Sequence, residues 1–239
     1  MTKRFTDIHQ HLVFGVDDGP RTSRGSHAML QMAKQNGIGR IIATPHVVPG
    51  VTAFDMDLFQ KRMGRIRSFC EERELGVEVF PGSEILYTEQ TCEFLSRGRV
   101  PTLAGTGYVL VEFSPDADYR QIQNAVEKLS RDGYIPILAH VERYKCMVSR
   151  PQSAYALKER LNVRYQVNCS TIIEGKGFAV NRFCKRLLND RLIDAVGTDA
   201  HNIDTRPIRM MEAYEVLVDE YGAAYADYLT GVDGGLVFG

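Results

Sequence analysis

The chain has 239 residues, of which 44% are hydrophobic and 25% charged, and this composition excludes a disordered or fibrous protein. Its 29 lysines and arginines balance 30 aspartates and glutamates, so a net charge of -1 provides no overall positive field to attract nucleic acid or an anionic membrane. No apolar run approaches the roughly 18 residues that a bilayer-spanning helix needs.

Short apolar or β-branched segments alternate with longer helical patterns along the whole chain, as is typical of βα units around a parallel sheet. The predicted strands are Phe5–His9, Arg40–Ala43, Val77–Pro81, Tyr108–Phe113, Ile135–Ala139, Arg164–Asn168 and Asp194–Gly197. The predicted helices are Ser23–Asn36, Phe54–Leu75, Tyr119–Arg131, Pro151–Leu161, Val180–Asn189 and Arg206–Tyr221. Seven or eight such units favour a closed or nearly closed barrel over an open sheet, although periodicity alone does not show closure.

The N-terminal residues and the spacing of the cysteines favour a soluble cytoplasmic protein without membrane insertion. The first eleven residues lack the apolar core of a signal peptide. The five cysteines are irregularly spaced and form no C-x-x-C pair, which disfavours a disulfide framework or a zinc ribbon. We expect reduced, mostly packed thiols. No linker or internal repeat is visible, so residues 1–239 are predicted to form a single domain.

Histidines are distributed very unevenly. Five of the six lie at the ends of predicted strands or in the turns that follow: His9, His11, His46, His140 and His201. In the His9-x-His11 pair both rings point to the same side of an extended strand, so that one metal ion can bind both. The sixth, His27, falls within a predicted helix and is interpreted as structural.

Four acidic residues occupy similar positions: Asp18, Glu84, Glu112 and Asp199. A buried carboxylate is costly unless a cation or hydrogen-bond donors compensate it, and a metal ion would do so, although each acid alone could be an ordinary cap or ion-pair partner. Five imidazoles and four carboxylates are too many ligands for one tetrahedral zinc ion but enough for two or three divalent ions that share a carboxylate. Such ligands suit manganese, iron or zinc.

A series of short motifs carries a family resemblance. They are Asp7-Ile-His9-x-His11, Val16-Asp17-Asp18-Gly19, Ala43-Thr44-Pro45-His46, Gly82-Ser-Glu84, Val111-Glu112-Phe113, Ala139-His140-Val-Glu142-Arg143-Tyr144, Asn168 and Gly197-Thr198-Asp199-Ala-His201-Asn202. The series resembles the polymerase and histidinol phosphatase (PHP) superfamily, and within it the bacterial capsule-associated, manganese-dependent tyrosine-protein phosphatases. The most specific pieces are His140-x-x-Arg143-Tyr144 and Asp199-x-His201-Asn202, which is followed by Arg206-Pro207.

The resemblance implies an α/β fold, a distorted (β/α)7 TIM-like barrel (PHP domain), with three divalent metal ions, of which Mn2+ is the expected identity. Carried over to this sequence, the first metal is held by His9, His11, Glu84 and Asp199; Glu84 bridges to a second, held with Glu112 and His140; the third is held by Asp18, His46 and His201. The implied substrate is a phosphotyrosine-containing protein, namely the tail of a bacterial tyrosine autokinase that controls capsule or exopolysaccharide synthesis.

Two segments depart from the family pattern. The segment Val47–Asp57 is apolar and acidic where relatives often have basic residues, and this leaves the contacts to a peptide substrate open. The tail Gly231–Gly239 lacks the usual Asn-Pro ending, so that its packing and any oligomer contact there are open as well.

The same residues suggest a reaction. Three dications and four carboxylates leave a charge of about +2, which complements a phosphate dianion. We hypothesise that a hydroxide bridging two metals attacks phosphorus in line. Arg143 and Arg206 could hold the phosphoryl oxygens, unless they form structural ion pairs, and Asp199 or a metal-bound water could protonate the leaving group. A supporting role is expected for Asp17, Glu142, Tyr144, Asn168 and Asn202.

Other functions differ from a metal-dependent tyrosine phosphatase in the leaving group, the nucleophile or the charge that they require. Phenolate, with a pKa near 10, leaves far more readily than an alkoxide, which favours phosphotyrosine over other phosphomonoesters. A cysteine-dependent phosphatase would need an arginine six residues after its cysteine, and none of the five cysteines has one. A histidinol-phosphate or other small phosphomonoester phosphatase, or a catalytically inactive PHP binding module, stays open. The net charge of -1 disfavours a nuclease.

Overall fold

The computed structural model describes residues 4–232 and 235–238. Within these ranges the strands are β1 (Phe5–Gln10), β2 (Ile38–Ala43), β3 (His46–Val47), β4 (Glu78–Pro81), β5 (Glu84–Leu86), β6 (Tyr108–Glu112), β7 (Ile135–Leu138), β8 (Arg164–Asn168) and β9 (Ala195–Gly197). The α-helices are α1 (Ser23–Gln35), α2 (Met56–Glu72), α3 (Thr91–Ser96), α4 (Tyr119–Arg131), α5 (Lys145–Ser149), α6 (Gln152–Arg160), α7 (Cys169–Glu174), α8 (Phe178–Asn189), α9 (Met210–Tyr221), α10 (Ala223–Leu229) and α11 (Gly235–Phe238).

All strand pairs are parallel, in the orders β1-β2-β4 and β3-β5-β6-β7-β8-β9. The two sheets are successive parts of one wall, because β3 continues β2 and β5 continues β4 along the chain. On the opposite side the Asp199 amide donates to the His9 carbonyl at 2.8 Å, and the His11 amide donates to the Ala200 carbonyl at 2.9 Å. These contacts bring the first strand against the last, and the predicted barrel is confirmed.

Two strand interruptions have local causes. Pro45 lacks an amide hydrogen and separates β2 from β3. Gly82 separates β4 from β5, and a Cβ atom there would lie 2.6 Å from Cγ2 of Ile42 on the neighbouring strand. Only glycine therefore fits at this point of the wall. The interruptions turn the chain just before His46 and Glu84, the residues with which the next strand segments begin.

Helix α4 shows how the outer layer packs against the barrel. Asp118 caps the helix by accepting from the Gln121 amide, while the Gln121 side chain accepts from the Asp118 amide. Its buried residues recur at helical spacing: Ile122, Ala125, Val126 and Leu129. They belong to the main apolar core. A smaller cluster contains alternate strand residues such as Ile8, Leu110 and Ile137.

Most predicted elements are confirmed, β8 and α4 with their predicted bounds. Helix α2 begins at Met56 rather than Phe54, because the Asp55 carboxylate caps it. Helix α9 begins at Met210 rather than Arg206, because the Arg206 carbonyl accepts from the amides of His201 and Asn202 in a loop. The short elements β3, β5, α3, α5, α7, α10 and α11 were not predicted.

All five cysteines are free, and all but the half-buried Cys146 are buried, which confirms the expected packed thiols. None of the helices in the described ranges is both long and apolar enough to cross a membrane. In the tail, the Phe238 ring packs against Phe80 with ring centres 4.8 Å apart. Residues 233, 234 and 239 of the predicted tail segment lie outside the described residues.

Candidate metal centre

The candidate ligands lie near the ends of β1 and β6, at the start of the segments β3 and β5 that continue β2 and β4, and in loops that follow strands. β1 and the residue after it supply two, β3, β5 and β6 supply one each, and loops after β1, β7 and β9 supply the others: His9, His11, His46, Glu84, Glu112, Asp18, His140, Asp199 and His201. Although they are scattered over nearly 200 positions of the chain, the parallel strands end at one rim, and each of these side chains lies within 3.5 Å of another member of the set.

Glu84 lies at the middle of this set. Its Oε2 is 3.2 Å from Nε2 of both His9 and His11 and 3.1 Å from Nδ1 of His46, while its Oε1 is 2.8 Å from Nε2 of His140. The side chain is only 1% exposed. One buried carboxylate thus contacts four imidazoles, an arrangement suited to bridging two cations.

Ligand atoms fall into three overlapping groups whose members all lie within 4.8 Å of one another: His9, His11, Glu84 and Asp199; His46, Glu84 and Glu112; and His11, Asp18, His46 and His201. The first group is entirely buried, whereas Asp18 in the third is exposed. His140 is not in these groups, but its Nε2 lies 2.8 Å from Glu84 and 3.5 Å from Glu112. His11, which was expected only in the first set, also belongs to the third group. His46, which was expected only in the third set, also belongs to the second group.

Unsatisfied polar atoms test whether these residues suit metal ions. Within the described part of the chain, Nε2 of His9, His11 and His201 and Oε2 of Glu84 are buried and make no hydrogen bond of acceptable geometry. Each such atom costs about 1–3 kcal/mol when it is left unsatisfied. Imidazole and carboxylate donors without thiolate are typical of divalent transition metals. The residues therefore fit a multinuclear divalent centre.

Asp17 contacts the imidazole of His11 and the backbone of His46. The His11 Nδ1–H donates to Asp17 Oδ2 at 2.7 Å, and the same oxygen accepts from the His46 amide at 3.1 Å. Burial favours the neutral carboxyl, but the hydrogen bond and positive charge of His11 outweigh it and lower the pKa of Asp17. A carboxylate that holds the proton on Nδ1 leaves Nε2 free as a metal ligand.

Both candidate arginines reach Asp199. Arg143 donates to its Oδ2 at 2.7 Å, and Arg206 donates to its Oδ1 at 2.8 Å. The arginine side chains are 44% and 40% exposed, so they line the rim between solvent and the buried carboxylate. Burial opposes ionisation of Asp199, yet the positive charges of His9 and His11 hold its pKa far below the usual range. Asp199 is therefore an anion at neutral pH.

The predicted supporting residues make defined contacts. Glu142 accepts from the Asn168 amide and from Thr171, and Tyr144 donates to the Ala139 carbonyl. Asn202 closes its own loop by accepting from three following amides. Asn168 donates to Asp199 at 2.8 Å. His27 lies apart on α1, where its ring stacks on Phe69 of α2 with ring centres 3.6 Å apart.

Two buried polar residues near the centre, Asp7 and Gln166, have no role assigned to them from the sequence. Asp7 accepts hydrogen bonds from Thr198 and from the His9 amide, and burial raises its pKa to about 6 despite them. Gln166 contacts His9 and the His140 amide. Both lie at buried positions of strands that contain several other polar residues, β1 for Asp7 and β8 for Gln166, so the strand pattern does not mark them.

Metal binding is predicted to release protons. Burial opposes protonation of His46 and His140, but the adjacent carboxylates of Glu112 and Glu84 prevail and raise their pKa values to about 10 and about 9. Because ligation needs neutral imidazole, metal must displace these protons at pH 7. Apparent affinity should rise about tenfold per pH unit for each proton displaced. Calorimetric titration with Mn2+ in buffers of different ionisation enthalpy measures the number released.

His201 provides the matched control for that count. Burial and the charges of His11 and Arg206 lower its pKa to about 4, so it is already neutral at pH 7. A His46→Ala variant should release about one proton fewer than the unmodified protein, whereas His201→Ala should leave the number unchanged. Equal proton release by both variants would contradict the prediction.

The sequence is similar to those of known proteins. A family model described as "Capsular polysaccharide synthesis, CpsB/CapC" matches residues 5–235. The chain is 32% identical over 230 residues to the tyrosine-protein phosphatase CpsB of Streptococcus agalactiae serotype V, covering 93% of both chains. It is 31% identical over 224 residues to the tyrosine-protein phosphatase YwqE of Bacillus subtilis, covering 94% of this chain and 88% of that protein.

Two solved structures are similar to the structure of this chain. A chain from the crystal structures of YwqE from Bacillus subtilis and CpsB from Streptococcus pneumoniae, described as metal-dependent tyrosine phosphatases, matches with a TM-score of 0.87 and 30% identity over 98% of this chain and 96% of that one. Histidinol phosphate phosphatase from Lactococcus lactis matches with a TM-score of 0.59 at 13% identity, covering 98% and 97%. The second likeness concerns the fold alone.

Proposed function

The chain belongs to the CpsB/CapC family of capsular polysaccharide synthesis, and on this basis we propose that it is a metal-dependent protein-tyrosine phosphatase. The observation that carries the proposal is the cluster around Glu84, in which one buried carboxylate contacts four imidazoles at 2.8–3.2 Å. Burying this carboxylate costs desolvation free energy, and bound divalent cations would compensate that cost.

The metal ligands are assigned within the proposal as three sites. The first uses His9, His11, Glu84 and Asp199; the second uses Glu84, Glu112 and His140; the third uses Asp18, His46 and His201. Mn2+ is the proposed ion, since hard and borderline donors without thiolate suit it, and Fe or Zn2+ would fit the same donors. Divalent ions in such sites supply Lewis acidity and lower the pKa of water.

Arg143 and Arg206 are proposed to bind the phosphoryl group. In the described part of the chain the guanidinium of Arg143 donates one hydrogen bond, to Asp199, which leaves further donors for phosphate oxygens. The side chain of Arg206 is similarly exposed at the same rim. The two guanidiniums anchor on opposite oxygens of one carboxylate, so Asp199 holds both in position.

The ionisation state of Asp199 favours an aryl leaving group over an alkyl one. A carboxyl group whose pKa lies far below neutrality carries no proton to donate at pH 7. An aryl phosphate needs little acid assistance because phenol has a pKa near 10, whereas an alkyl phosphate needs much more. These properties support phosphotyrosine and make Asp199 a positioning group rather than the general acid.

A cleft beside the site suits a polypeptide substrate. It has a volume of about 770 Å³ and begins where β5 and β6 end, with Leu86, Tyr87, Phe113 and Ser114 in its wall. Leu86 is paired in register with Glu112, so the cleft adjoins the proposed ligands. Residues that flank a phosphotyrosine are proposed to bind here. The tail of a cytoplasmic tyrosine autokinase that controls capsule or exopolysaccharide synthesis is the proposed physiological substrate.

Parallel assays test the function. Protein loaded with Mn2+ should hydrolyse a phosphotyrosine peptide with a kcat/KM at least about 100-fold higher than that for histidinol phosphate, and chelation should abolish both activities. His140→Ala is the inactive control. A preference for histidinol phosphate would refute the tyrosine-phosphatase proposal, and a metal-loaded protein that turns over neither substrate nor a simple aryl phosphate would indicate a binding module.

A further inference from the structure

We propose that Gln166 and Asn168, two positioning residues on β8, form a buried relay that selects the tautomer of His9 and orients Asp199 toward the metal centre. Gln166 is 0% exposed and Asn168 2%. A buried carboxamide is costly unless its hydrogen bonds are made, so two of them on one face of a strand need a purpose. The inference rests on the proposed metal centre, and it is tested by metal binding rather than by turnover.

The His140 amide fixes the direction of the relay. It lies 2.8 Å from the Gln166 side chain, and a backbone N–H can only donate, so the atom it contacts must be the carbonyl oxygen Oε1. The same oxygen lies 3.1 Å from Nδ1 of His9. Because an oxygen acceptor faces it, Nδ1 of His9 must carry the proton. Its Nε2, which faces Glu84 at 3.2 Å, is then the nitrogen that a metal ion can bind.

The other end of Gln166 fixes Asn168. With Oε1 turned toward His9, the Nε2 amide donates to Oδ1 of Asn168 at 2.8 Å. Asn168 is thereby turned so that its Nδ2 donates to Oδ2 of Asp199 at 2.8 Å. The His140 amide, which can only donate, therefore determines which nitrogen of His9 carries a proton and which atom of Asn168 faces Asp199. His9 and Asp199 are proposed ligands of the same metal.

Close packing keeps the relay in register. Gly197 on β9 is paired with Asn168, and a Cβ atom there would lie 2.7 Å from Cβ of His9 and 3.1 Å from Nε2 of Gln166. His140, whose amide sets the direction, has a positive φ of 34° that is costly for a residue with a side chain. The hydrogen bond to Gln166 helps to hold the His140 backbone in this conformation.

Zinc binding by the unmodified protein gives the first test. Long-range 15N correlation spectra of the protein loaded with Zn2+ and labelled at histidine should show His9 with a proton on Nδ1 and with Nε2 as the bound nitrogen. A proton on Nε2 of His9 would overturn the inference without any substitution. An unmodified protein that binds no Zn2+ would overturn both the metal centre and the relay, whereas normal zinc binding without phosphotyrosine hydrolysis would refute only the proposed function.

Three substitutions separate the two arms of the relay. Gln166→Met removes both the acceptor for His9 and the donor to Asn168, Gln166→Glu keeps the acceptor but removes the donor, and Asn168→Asp removes the donor to Asp199. Each should weaken one bound Zn2+ by about 10- to 100-fold in competition with a chelator. Only Gln166→Met should alter the His9 tautomer, which general loss of packing would not achieve selectively.

Gln152→Glu is the matched control, since it makes the same change at an exposed position on α6 and should leave zinc affinity unchanged. If Gln166→Met fails to fold, the nearly isosteric Gln166→Glu and Asn168→Asp carry the test of the Asp199 arm, and the spectrum of the unmodified protein carries that of the His9 arm. Wild-type zinc affinity in both of those variants would overturn the relay.

Discussion

Glu84→Gln is expected to lower kcat/KM for phosphotyrosine by at least about 10³-fold, equivalent to about 4 kcal/mol of transition-state stabilisation. Among residues 4–232 and 235–238, the carboxylate is the one group that contacts His9, His11, His46 and His140 together. An amide keeps its shape but supplies neither the charge that balances two cations nor a second anionic oxygen. Metal analysis of the variant should show fewer ions per chain, because the proposed first and second sites both lose their shared ligand.

The matched control is Glu93→Gln, nine residues further along the chain. The Glu93 side chain is 50% exposed and pairs with Arg97 on the surface of the same helix, at 2.9 Å. It should retain full activity and full metal content. Circular dichroism would verify that both variants are folded. A Glu84→Gln protein with wild-type metal content, or with more than about a tenth of the activity, would show that the carboxylate does not bridge the ions.

Residues at strand ends could be recognised from the sequence because their signal is local. His9 and His11 repeat with strand spacing, and Glu112 ends an apolar strand where a lone carboxylate is out of place. Parallel strands then gather such ends at one rim, so that the grouping follows from the topology. The long elements were equally accessible, since α4 shows both a capping box and apolar residues at helical spacing.

The short elements could not be predicted because their signal is not local. β3 has two residues and β5 three, too few for a period of two to be visible, and both form only because neighbouring strands supply their hydrogen bonds. Gln166 could not be distinguished from an ordinary polar strand residue, because its role depends on the His140 amide, 26 positions away. The shared anchoring of both arginines on Asp199 likewise depends on loops whose paths the sequence does not specify.

Arg143→Ala is expected to lower kcat/KM by about 10- to 1000-fold while metal content stays unchanged, the range for loss of one preorganised donor to a developing charge. The guanidinium lies at the rim with 44% of its side chain exposed, where a phosphoryl group entering from solvent would meet it. Arg143→Lys should recover only part of the loss, because an ammonium group supplies charge without the planar fork that binds two phosphate oxygens. Steady-state kinetics and metal analysis on the same preparations measure both quantities.

Arg206→Ala distinguishes phosphate binding from simple support of Asp199. Both arginines donate to Asp199, so if they served only to hold this carboxylate, either substitution would lower metal content together with activity. Phosphate binding instead predicts that metal content is retained and that inhibition by inorganic phosphate weakens along with kcat/KM in both variants. Arg209→Ala is the control, since its guanidinium pairs with Glu174 and Glu212 on the surface and should affect neither property. Parallel loss of metal and activity would assign Arg143 and Arg206 to structural ion pairs.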